Sequence, residues 1–290
     1  MIKPKRLRFW LMVLVLAGVC VIGFLAYDNG RPFQIPDKER LFTGVEYARK
    51  VNFSPRPMII HTITIDTHRN GIRYLVTPPD EYGSQFPLRA RTTSQFLREF
   101  GVQIAINGDG FSPWWSHSPA DYYPHIGDPV QPRGDTASHG KIYWTSAATV
   151  PTLYISSHNQ MSFDQPNKPF NAISGEYLLV MGGRAIPDLD NSTVQPRTAI
   201  GYSNSGRFVY LVVVDGRQPF YSEGITLNEL ADLMITLGAQ YAMNLDGGGS
   251  STMVVAGKDG RTRILNSPID NYIPGRERPV ADHLGIYVTK

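Results

Sequence analysis

The sequence predicts an α+β fold, in which a single mixed domain, rich in β-sheet with a few helices, follows one transmembrane helix. Hydrophobic residues make up 42% of the 290 residues and charged residues 18%, enough apolar material for a core and too little charge for a disordered chain. The 27 glycines and 22 prolines exceed average usage, and turn formers recur between short β-branched and aromatic runs. These features exclude a helical bundle.

An uncharged run at residues 9–27 predicts the transmembrane helix. As a helix it spans about 28 Å, close to the hydrocarbon thickness of a bilayer. Residues 1–8 form a basic tail, so the positive-inside rule places this tail in the cytoplasm and the body of the protein outside. The alternative is a cleaved signal peptide, although Phe24 at position −3 of a cut after Ala26 is not the small residue such a site prefers. The basic residues of the tail are Lys3, Lys5, Arg6 and Arg8.

Charge and cysteine content exclude several functions for residues 28–290. Four of the 28 basic residues lie in the tail, which leaves 24 against 25 acidic residues in the body. A body without basic excess argues against nucleic acid as a partner. The only cysteine, Cys20, lies in the apolar run, so the body has no disulfide, no thiolate chemistry and no cysteine-ligated zinc.

Residues 28–56 are interrupted by prolines and are interpreted as a spacer with some local structure, which leaves 57–290 as the main folded domain. Helices are expected at 93–100 and 226–237, the second with Thr226 and Glu229 as a capping box and Gly238 as its end. Residues 110–140, rich in aromatic residues and proline, are expected to form a structured loop near a site. Strands are expected at 58–66, 72–77, 102–107, 152–156, 177–181, 198–202, 208–214, 241–245, 252–255 and 284–288.

Two aspartates follow apolar strands and precede glycine, and they are the candidate catalytic residues. Asp215-Gly216 taken alone also suits a hairpin turn. Asp246 precedes three glycines and two serines, a pattern that favours a loop whose backbone N–H groups cradle an anion. The residues of this loop expected to bind substrate are Gly247, Gly248, Gly249, Ser250 and Ser251.

Other candidate binding residues lie near glycine-rich turns. Asn107 and Asp109 follow the apolar run at 102–106 and are suited to orient sugar hydroxyls or to hold a cation, although a polar turn is the alternative. Arginine binds phosphate in a bidentate manner, which makes Arg197, Arg217 and Arg278 candidate phosphate ligands. The histidines show no zinc-protease spacing, so the sequence indicates no cofactor and leaves a divalent cation open.

Several segments in order resemble the phosphodiester glycosidase family over about residues 90–290. They are Arg197-Thr-Ala-Ile-Gly, Val214-Asp-Gly-Arg217, Gly224-Ile-Thr226-Leu-x-Glu229-Leu, Asn244-Leu-Asp-Gly-Gly-Gly-Ser-Ser-Thr-Met253 and Arg278-Pro-Val-Ala. The resemblance adds Thr226 and Asn244 to the expected substrate-binding residues. The chain departs from the family pattern at Asp109, within an Asn-Gly-Gly-Phe motif, and at Asp282, which replaces Asn.

The resemblance implies hydrolysis of a sugar-1-phosphodiester between the anomeric carbon and the phosphate oxygen, with Asp246 and Asp215 as the carboxylate pair. The expected partners are a phosphorylated glycan of the cell envelope or an exopolysaccharide, and the membrane. A non-catalytic glycan-binding module at the cell surface is the main alternative, with Trp114, Trp115, Tyr122 and Tyr123 stacking on sugars. An envelope scaffold is a further alternative, which would need neither aspartate.

Overall fold

The computed structural model describes residues 4–29, 31–69, 71–147, 149–257 and 259–288. The chain divides into an N-terminal unit, Met1–Phe33, and a body, Gln34–Lys290. The N-terminal unit contains helix α1 (Pro4–Asn29). Its segment Arg8–Leu25 has a mean hydropathy of 2.3 and is not buried, so α1 is long and apolar enough to cross a membrane. This helix includes the predicted apolar run at 9–27.

The body contains helices α2 (Thr93–Phe100) and α3 (Leu227–Leu237) and two single 3-10 turns, Gly248–Ser250 and Asp270–Tyr272. Its first twelve strands are β1 (Asp37–Phe42), β2 (Val45–Asn52), β3 (Met58–Asp66), β4 (Ile72–Val76), β5 (Leu88–Arg89), β6 (Ile104–Asn107), β7 (Phe111–Ser112), β8 (Trp115–Ser118), β9 (Asp121–Tyr123), β10 (Pro129–Pro132), β11 (Thr136–Ser138) and β12 (Lys141–Trp144). The remaining strands are β13 (Thr152–Ile155), β14 (Met161–Ser162), β15 (Asn171–Ser174), β16 (Tyr177–Met181), β17 (Arg184–Ala185), β18 (Arg197–Tyr202), β19 (Phe208–Val214), β20 (Tyr241–Asn244), β21 (Met253–Ala256), β22 (Thr262–Ile264) and β23 (His283–Val288).

An eight-stranded antiparallel sheet, in the order β1-β2-β3-β19-β18-β20-β16-β17, forms one layer of the body. Side chains alternate between the two faces of a strand, and β19 separates its apolar residues in this way. Leu211 and Val213 belong to the core on one face, while Val212 and Val214 pack with α3 on the other. Burial on both faces explains why β19 is a continuous apolar run in the sequence.

A five-stranded antiparallel sheet, β22-β21-β6-β23-β4, packs on the larger sheet. Its residues Ile104, Ile106 and Leu284 share a buried core with Leu211 of β19. Helix α2 covers the outer face of the smaller sheet through Phe96. These two sheets therefore form a β-sandwich with one helix on each outer face, and a second five-stranded sheet, β12-β11-β15-β13-β14, adds to the same core. The predicted α+β fold class is confirmed.

Both helices begin and end as the sequence predicts. A capping box at the start of each helix satisfies free N–H groups of the first turn. It consists of Thr92 and Gln95 in α2 and of Thr226 and Glu229 in α3. Each helix stops at a glycine with a left-handed conformation, φ +66° at Gly101 and +101° at Gly238. The ten predicted strands are also present, with ends shifted by no more than two residues.

Two expectations about organisation need correction. The segment 28–56 contains β1 and β2, and β2 pairs with β3 along its whole length and buries Val45 and Tyr47 in the sandwich. The spacer is therefore shorter than predicted, because the folded body begins at Gln34. Residues 110–140 contain the five short strands β7–β11 and are less irregular than predicted, since strands of two to four residues are too short to show a period.

Candidate active site

The strand ends that carry the candidate residues meet at one end of the sandwich. The register pairs Arg197 with Val214 and Ala199 with Asn244 in the larger sheet, and His283 with Asn107 in the smaller one. The loops beyond these ends enclose a cleft of about 280 Å³. Its lining residues are Gly110, Phe111, Trp114, Arg133, Glu176, Gln195, Arg217, Asp246, Gly247, Gly248 and Arg278.

Asp246 is held in the cleft by contacts between the two sheets. Its N–H donates to the Gly108 carbonyl (2.9 Å), and its carbonyl accepts from Nδ2 of Asn107 (2.8 Å). Its carboxylate accepts a hydrogen bond from the Gly247 N–H (2.8 Å). Burial raises the pKa of Asp246, while the Arg278 guanidinium opposes this rise. The backbone of Asp246 is thus fixed at both its N–H group and its carbonyl group.

Glu176 is a second carboxylate in the cleft, and the sequence analysis did not identify it. Its N–H donates to the Asn244 carbonyl (2.8 Å), and its Oε2 accepts from Nδ2 of the same residue (3.3 Å). Nη1 of Arg133 lies 3.9 Å from Oε1. Burial, reinforced by the charge of Asp246, raises the pKa of Glu176 to about 7. The available signal was a carboxylate just before the predicted strand at 177–181.

Two of the three predicted arginines line the cleft. Arg278 donates from Nε to Asp270 (2.8 Å) and from Nη1 to Oγ of Ser250 (3.3 Å). Arg217 donates to Oε1 of Gln195 (2.9 Å), and burial lowers its pKa. Guanidinium groups held in this way are suited to bind an anion at fixed positions.

The third arginine, Arg197, lies behind the cleft and is only 3% exposed. Burial lowers its pKa, and the charge of Glu176 opposes this effect. Its Nε has no hydrogen-bond partner among the described residues. The structure therefore places Arg197 where it supports Glu176 electrostatically and does not line the surface that a substrate would touch.

Two of the three glycines after Asp246 let arginines approach the loop closely. A Cβ on Gly248 would lie 2.9 Å from Nη1 of Arg217, and one on Gly249 would lie 2.5 Å from Nη2 of Arg278. The expected anion cradle is only partly available, because the Gly247 N–H binds Asp246 and the Gly248 N–H binds the Pro196 carbonyl (2.9 Å).

Asp215 lies in a buried network outside the cleft. It is 1% exposed, and its Oδ1 accepts from the Ser267 N–H (2.8 Å) and from Nδ2 of Asn266 (3.1 Å). Its Oδ2 lies 3.0 Å from Nε2 of His61, whose Nδ1 lies 2.9 Å from the hydroxyl of Tyr47. The structure does not bring Asp215 together with Asp246 in the cleft, because the strand end turns its carboxylate into the protein interior.

Asn107 and Asp109 are buried beneath the cleft and organise its loops. Oδ1 of Asn107 accepts from Oγ1 of Thr198 (2.8 Å), while Asp109 accepts from the N–H groups of Gly110 (2.7 Å) and Gly134 (2.6 Å). The Asp109 N–H in turn donates to Oδ1 of Asp282 (2.8 Å). The two departures from the family pattern are thus spatial partners, and burial raises the pKa of both carboxyl groups.

The remaining predicted residues support the site from other positions. Asn244 positions Glu176, and Ser250 bonds to Asp246 and Arg278. Ser251 is buried, and its Oγ lacks a hydrogen-bond partner among the described residues. Thr226 caps α3 by accepting from the Glu229 N–H (3.2 Å) and does not line the cleft.

Within the described ranges, His, Cys, Asp and Glu form no group of three or more that could hold a metal ion. The arrangement at the cleft is instead two carboxylates beside guanidinium groups. This combination is suited to bind an anionic substrate and to move a proton at one of its atoms.

Comparison with known proteins identifies the family of the chain. The family model for phosphodiester glycosidases matches residues 100–287, which is more than half of the chain. The chain therefore belongs to the phosphodiester glycosidase family, as its motifs indicated.

Two curated relatives share short segments with the chain. An uncharacterized prophage-derived protein of Bacillus subtilis is 39% identical over 97 residues, which are 33% of this chain and 13% of that protein. The N-acetylglucosamine-1-phosphodiester alpha-N-acetylglucosaminidase of Bos taurus is 39% identical over 66 residues, which are 23% of this chain and 12% of that enzyme. The aligned segments thus span about an eighth of either relative.

Solved structures share the fold at low identity. A hypothetical protein from Synechocystis matches 88% of this chain and 64% of its own, with a TM-score of 0.64 and 14% identity. The catalytic domain of zebrafish N-acetylglucosamine-1-phosphodiester alpha-N-acetylglucosaminidase, auto-inhibited by its pro-peptide, matches 88% and 84%, with a TM-score of 0.59 and 20% identity.

Proposed function

We propose that this protein hydrolyses a glycosyl-1-phosphodiester between the anomeric carbon and the phosphate oxygen. The observation that carries the proposal is that Asp246 and Glu176 share one cleft with Arg217 and Arg278. Glycosidases generally use a pair of carboxylates across the scissile bond. The bovine relative, whose name states a sugar-1-phosphodiester substrate, supports the same reaction class.

The nature of the leaving group assigns the roles of these side chains. A departing phosphate needs charge stabilisation more than protonation, and Arg217 and Arg278 supply fixed positive charge for it. The anomeric centre becomes cationic as the bond breaks, and Asp246 stabilises that charge. Glu176, with its pKa near 7, is suited to remove the proton from the attacking water.

The direct test is incubation of the full chain in detergent with a panel of sugar-1-phosphodiesters that differ in sugar and anomer. Release of free sugar together with a phosphomonoester supports the proposal. Release of a sugar phosphate would indicate cleavage on the other side of the phosphorus and would contradict it. Parallel reactions with a chelator test a requirement for a divalent cation.

We further propose that α1 anchors the protein in the cell membrane with its N-terminus in the cytoplasm and its body outside. The uncharged run of α1 and the basic residues before it support this orientation. Protease added to intact spheroplasts should then remove the body. Protection of the body until the membrane is lysed would reverse the orientation, and loss of α1 from the mature protein would indicate signal cleavage.

A non-catalytic glycan-binding module is the second candidate. It is favoured by the indole of Trp114, which lines the cleft and is 49% exposed. This function predicts that glycan binding persists in an Asp246→Asn variant and that no substrate of the panel is turned over by the unmodified chain.

A further inference from the structure

An exposed apolar patch lies near the point where the folded body begins. Its side chains are Ile35, Phe53 and Phe220, which are 57%, 68% and 92% exposed. Single exposed apolar residues are normal on a soluble surface, but several large ones on adjoining segments mark an interaction site. These three residues do not line the cleft, so the proposed reaction does not account for them.

Hydrogen bonds hold the segments of the patch together. Nε2 of Gln34 donates to the Phe220 carbonyl (2.9 Å), which joins the start of the body to the loop after β19. The Glu223 N–H donates to the Pro57 carbonyl (2.9 Å), which joins the same loop to the turn between β2 and β3. That turn carries Phe53. The patch segments are residues 34–36, 52–57 and 217–223.

Phe220 is held at the tip of a tight turn. The Ser222 N–H donates to the Gln218 carbonyl (2.9 Å), and both of these residues are buried. Phe220 has φ +63°, a conformation that is rare for a bulky residue. Strained backbone of this kind persists where the surrounding structure holds it, and it clusters at functional sites. The turn thus presents a phenyl group to solvent at a cost in strain, which indicates a contact outside the body.

The length of the chain limits how far this patch can lie from a membrane. Helix α1 ends at Asn29, and Gln34 is the first residue of the body. The five residues from one to the other span at most about 18 Å when fully extended. Because Gln34 itself hydrogen-bonds to the patch, a bilayer spanned by α1 is within reach of the patch.

The composition of the patch favours the boundary between headgroups and acyl chains. The patch segments contain three charged residues, Arg56, Arg217 and Glu223. Arg56 pairs with Glu229, and Arg217 lines the cleft, so these two charges have other roles. Exposed phenyl and aliphatic side chains bind at this boundary through buried apolar area, without needing anionic lipid.

The patch and the cleft lie at the same end of the larger sheet. Strand β19 ends at Val214, and the loop that follows carries both Phe220 and Arg217, which lines the cleft. The turn between β18 and β19 lies at the other end of β19, about 24 Å away for a strand of seven residues. A contact through Phe220 therefore holds the cleft end of the body toward the bilayer.

On the basis of the proposed anchoring, we propose that Ile35, Phe53 and Phe220 form a membrane-contact surface. The partner is the lipid bilayer in which α1 is anchored, and the three side chains insert at its headgroup boundary. The body then rests on the membrane with its cleft end toward the lipid.

The test uses the full chain with Cys20→Ser, one copy to a nanodisc of phosphatidylcholine. An environment-sensitive fluorophore is attached at Ser54→Cys, beside Phe53, or at Asn204→Cys, in the turn between β18 and β19. We expect nitroxide-labelled lipid to quench the first fluorophore and to leave the second unchanged. Emission at both positions that is insensitive to the nitroxide overturns the proposal.

Proximity through the chain must be separated from contact through the patch. Phe220→Gly removes the phenyl group but suits the positive φ, so the turn should fold at least as well. It should lower the ratio of docked to undocked chains by about tenfold and reduce the quenching, as should Phe53→Ser. Quenching that survives in the Phe220→Gly/Phe53→Ser double variant overturns the proposal. The matched control is Tyr82→Ser, because Tyr82 is 58% exposed but lies outside the patch segments.

A fluorophore on the native Cys20 of the otherwise unmodified chain tests the anchoring separately, because Cys20 lies within α1. Quenching at Cys20 without quenching at Ser54→Cys keeps α1 in the membrane and overturns the contact surface. Quenching at Ser54→Cys without quenching at Cys20 supports the contact surface and contradicts the anchoring.

Discussion

Asp246 and Asp215 occupy similar positions in the sequence, but their carboxylates meet different surroundings. Each follows an apolar strand and precedes a glycine. Asp246 lines an open cleft, whereas Asp215 is enclosed by His61, Asn266 and Ser267. The first carboxylate faces the cleft, and the second is held by hydrogen bonds in the protein interior.

We expect Asp246→Asn to lower kcat by about 10²- to 10⁴-fold, the range for a positioned catalytic carboxylate. The amide has the same shape, so the backbone bonds from Asn107 and to Gly108 are retained and the melting temperature should change little. The measurement is kcat and Tm on the same preparation. A variant that keeps more than about a tenth of the activity would exclude this role for Asp246.

Asp215→Asn serves as the matched comparison, and we expect the opposite pattern. The substitution keeps one acceptor oxygen but places an amide group in the buried network around His61. Loss of a buried hydrogen bond costs about 1–3 kcal/mol, so Tm should fall by several degrees. If Asp215→Asn instead abolishes turnover at unchanged Tm, the sequence-based pairing of the two aspartates is correct.

Glu176 should control the pH dependence of the reaction. Burial and the charge of Asp246 raise its pKa to about 7 from an ordinary value of 4.5. A raised pKa keeps the carboxyl group protonated in acid, so the base form appears only as the pH rises through about 7. We therefore expect kcat to rise to a plateau above this pH, measured for a phosphodiester whose own charge is constant.

Glu176→Gln supplies the control for this assignment. It should remove the rising limb and lower the plateau rate by about 10²- to 10⁴-fold, since the amide cannot accept a proton from water. A rate that instead falls as the pH rises through 7 would identify Glu176 as a general acid. A rising limb that survives in the variant would show that another group is the base.

The sequence predicted part of this site for clear reasons. Asp246, Arg217 and Arg278 stand beside glycines, and glycine runs mark places where side chains or ligands approach the backbone closely. The pattern at Asp215 did not predict that its carboxylate lies outside the cleft, because a strand end fixes the position of the backbone but not the surroundings of the side chain. Glu176 was missed because it precedes its strand and because its neighbours, Arg133 and Asn244, come from distant parts of the sequence.

At the scale of structural elements, the glycine run after Asp246 determines where Arg278 can lie. We expect Gly249→Ala to lower kcat/KM by about tenfold, with a loss in kcat, because a Cβ 2.5 Å from Nη2 of Arg278 must displace the guanidinium that stabilises the departing phosphate. Gly249 does not have positive φ, so the substitution tests this contact and not backbone strain. Steady-state kinetics on one phosphodiester measures the effect.

The matched control is Gly101→Ala at the end of α2. Gly101 has φ +66° and open space around its Cα, so alanine there costs stability through strain and touches nothing in the cleft. Its Tm should fall while kcat/KM stays constant. A similar kcat/KM for Gly249→Ala and the unmodified chain would show that Arg278 does not depend on this glycine.

Elements differ in how well their sequences specify them. Helices α2 and α3 were predicted to the residue or nearly so, and for α3 the capping residues and the terminal glycine were the local signals. The five short strands β7–β11 were not, because two to four residues carry no measurable period and their pairing depends on contacts made elsewhere.

At the scale of the whole molecule, the start of the folded body is the feature that sequence reasoning placed too late. The strand β2 reads Val-Glu-Tyr-Ala-Arg-Lys-Val-Asn, and its charged residues obscure the apolar alternation of Val45 and Tyr47. Its role becomes visible only in the sheet, where it pairs with β3 from Val45 opposite Ile65 to Asn52 opposite Met58. A strand that pairs with the edge of a sheet is identified more readily from its pairing partner than from its own composition.

Two fragments should therefore behave differently, 34–290 and 57–290. We expect 34–290 to be soluble, to melt cooperatively and to have the kcat/KM of the full chain within about twofold, because all contacts of the cleft lie within it. Fragment 57–290 lacks β1 and β2, so the edge of β3 and the fully buried Ile63 and Ile65 become exposed.

Loss of the buried side chains Val45 and Tyr47 alone removes about 1.5–3 kcal/mol each, a large share of the 5–15 kcal/mol that stabilises a typical domain. The truncation also removes the contact between the Tyr47 hydroxyl and Nδ1 of His61, and this loss disturbs the network around Asp215. We expect 57–290 to aggregate through its unpaired strand edge. Soluble expression and melting curves for both fragments are the measurement. If 57–290 melts at the same temperature as 34–290, the β1–β2 hairpin is peripheral and the folded body does begin near residue 57.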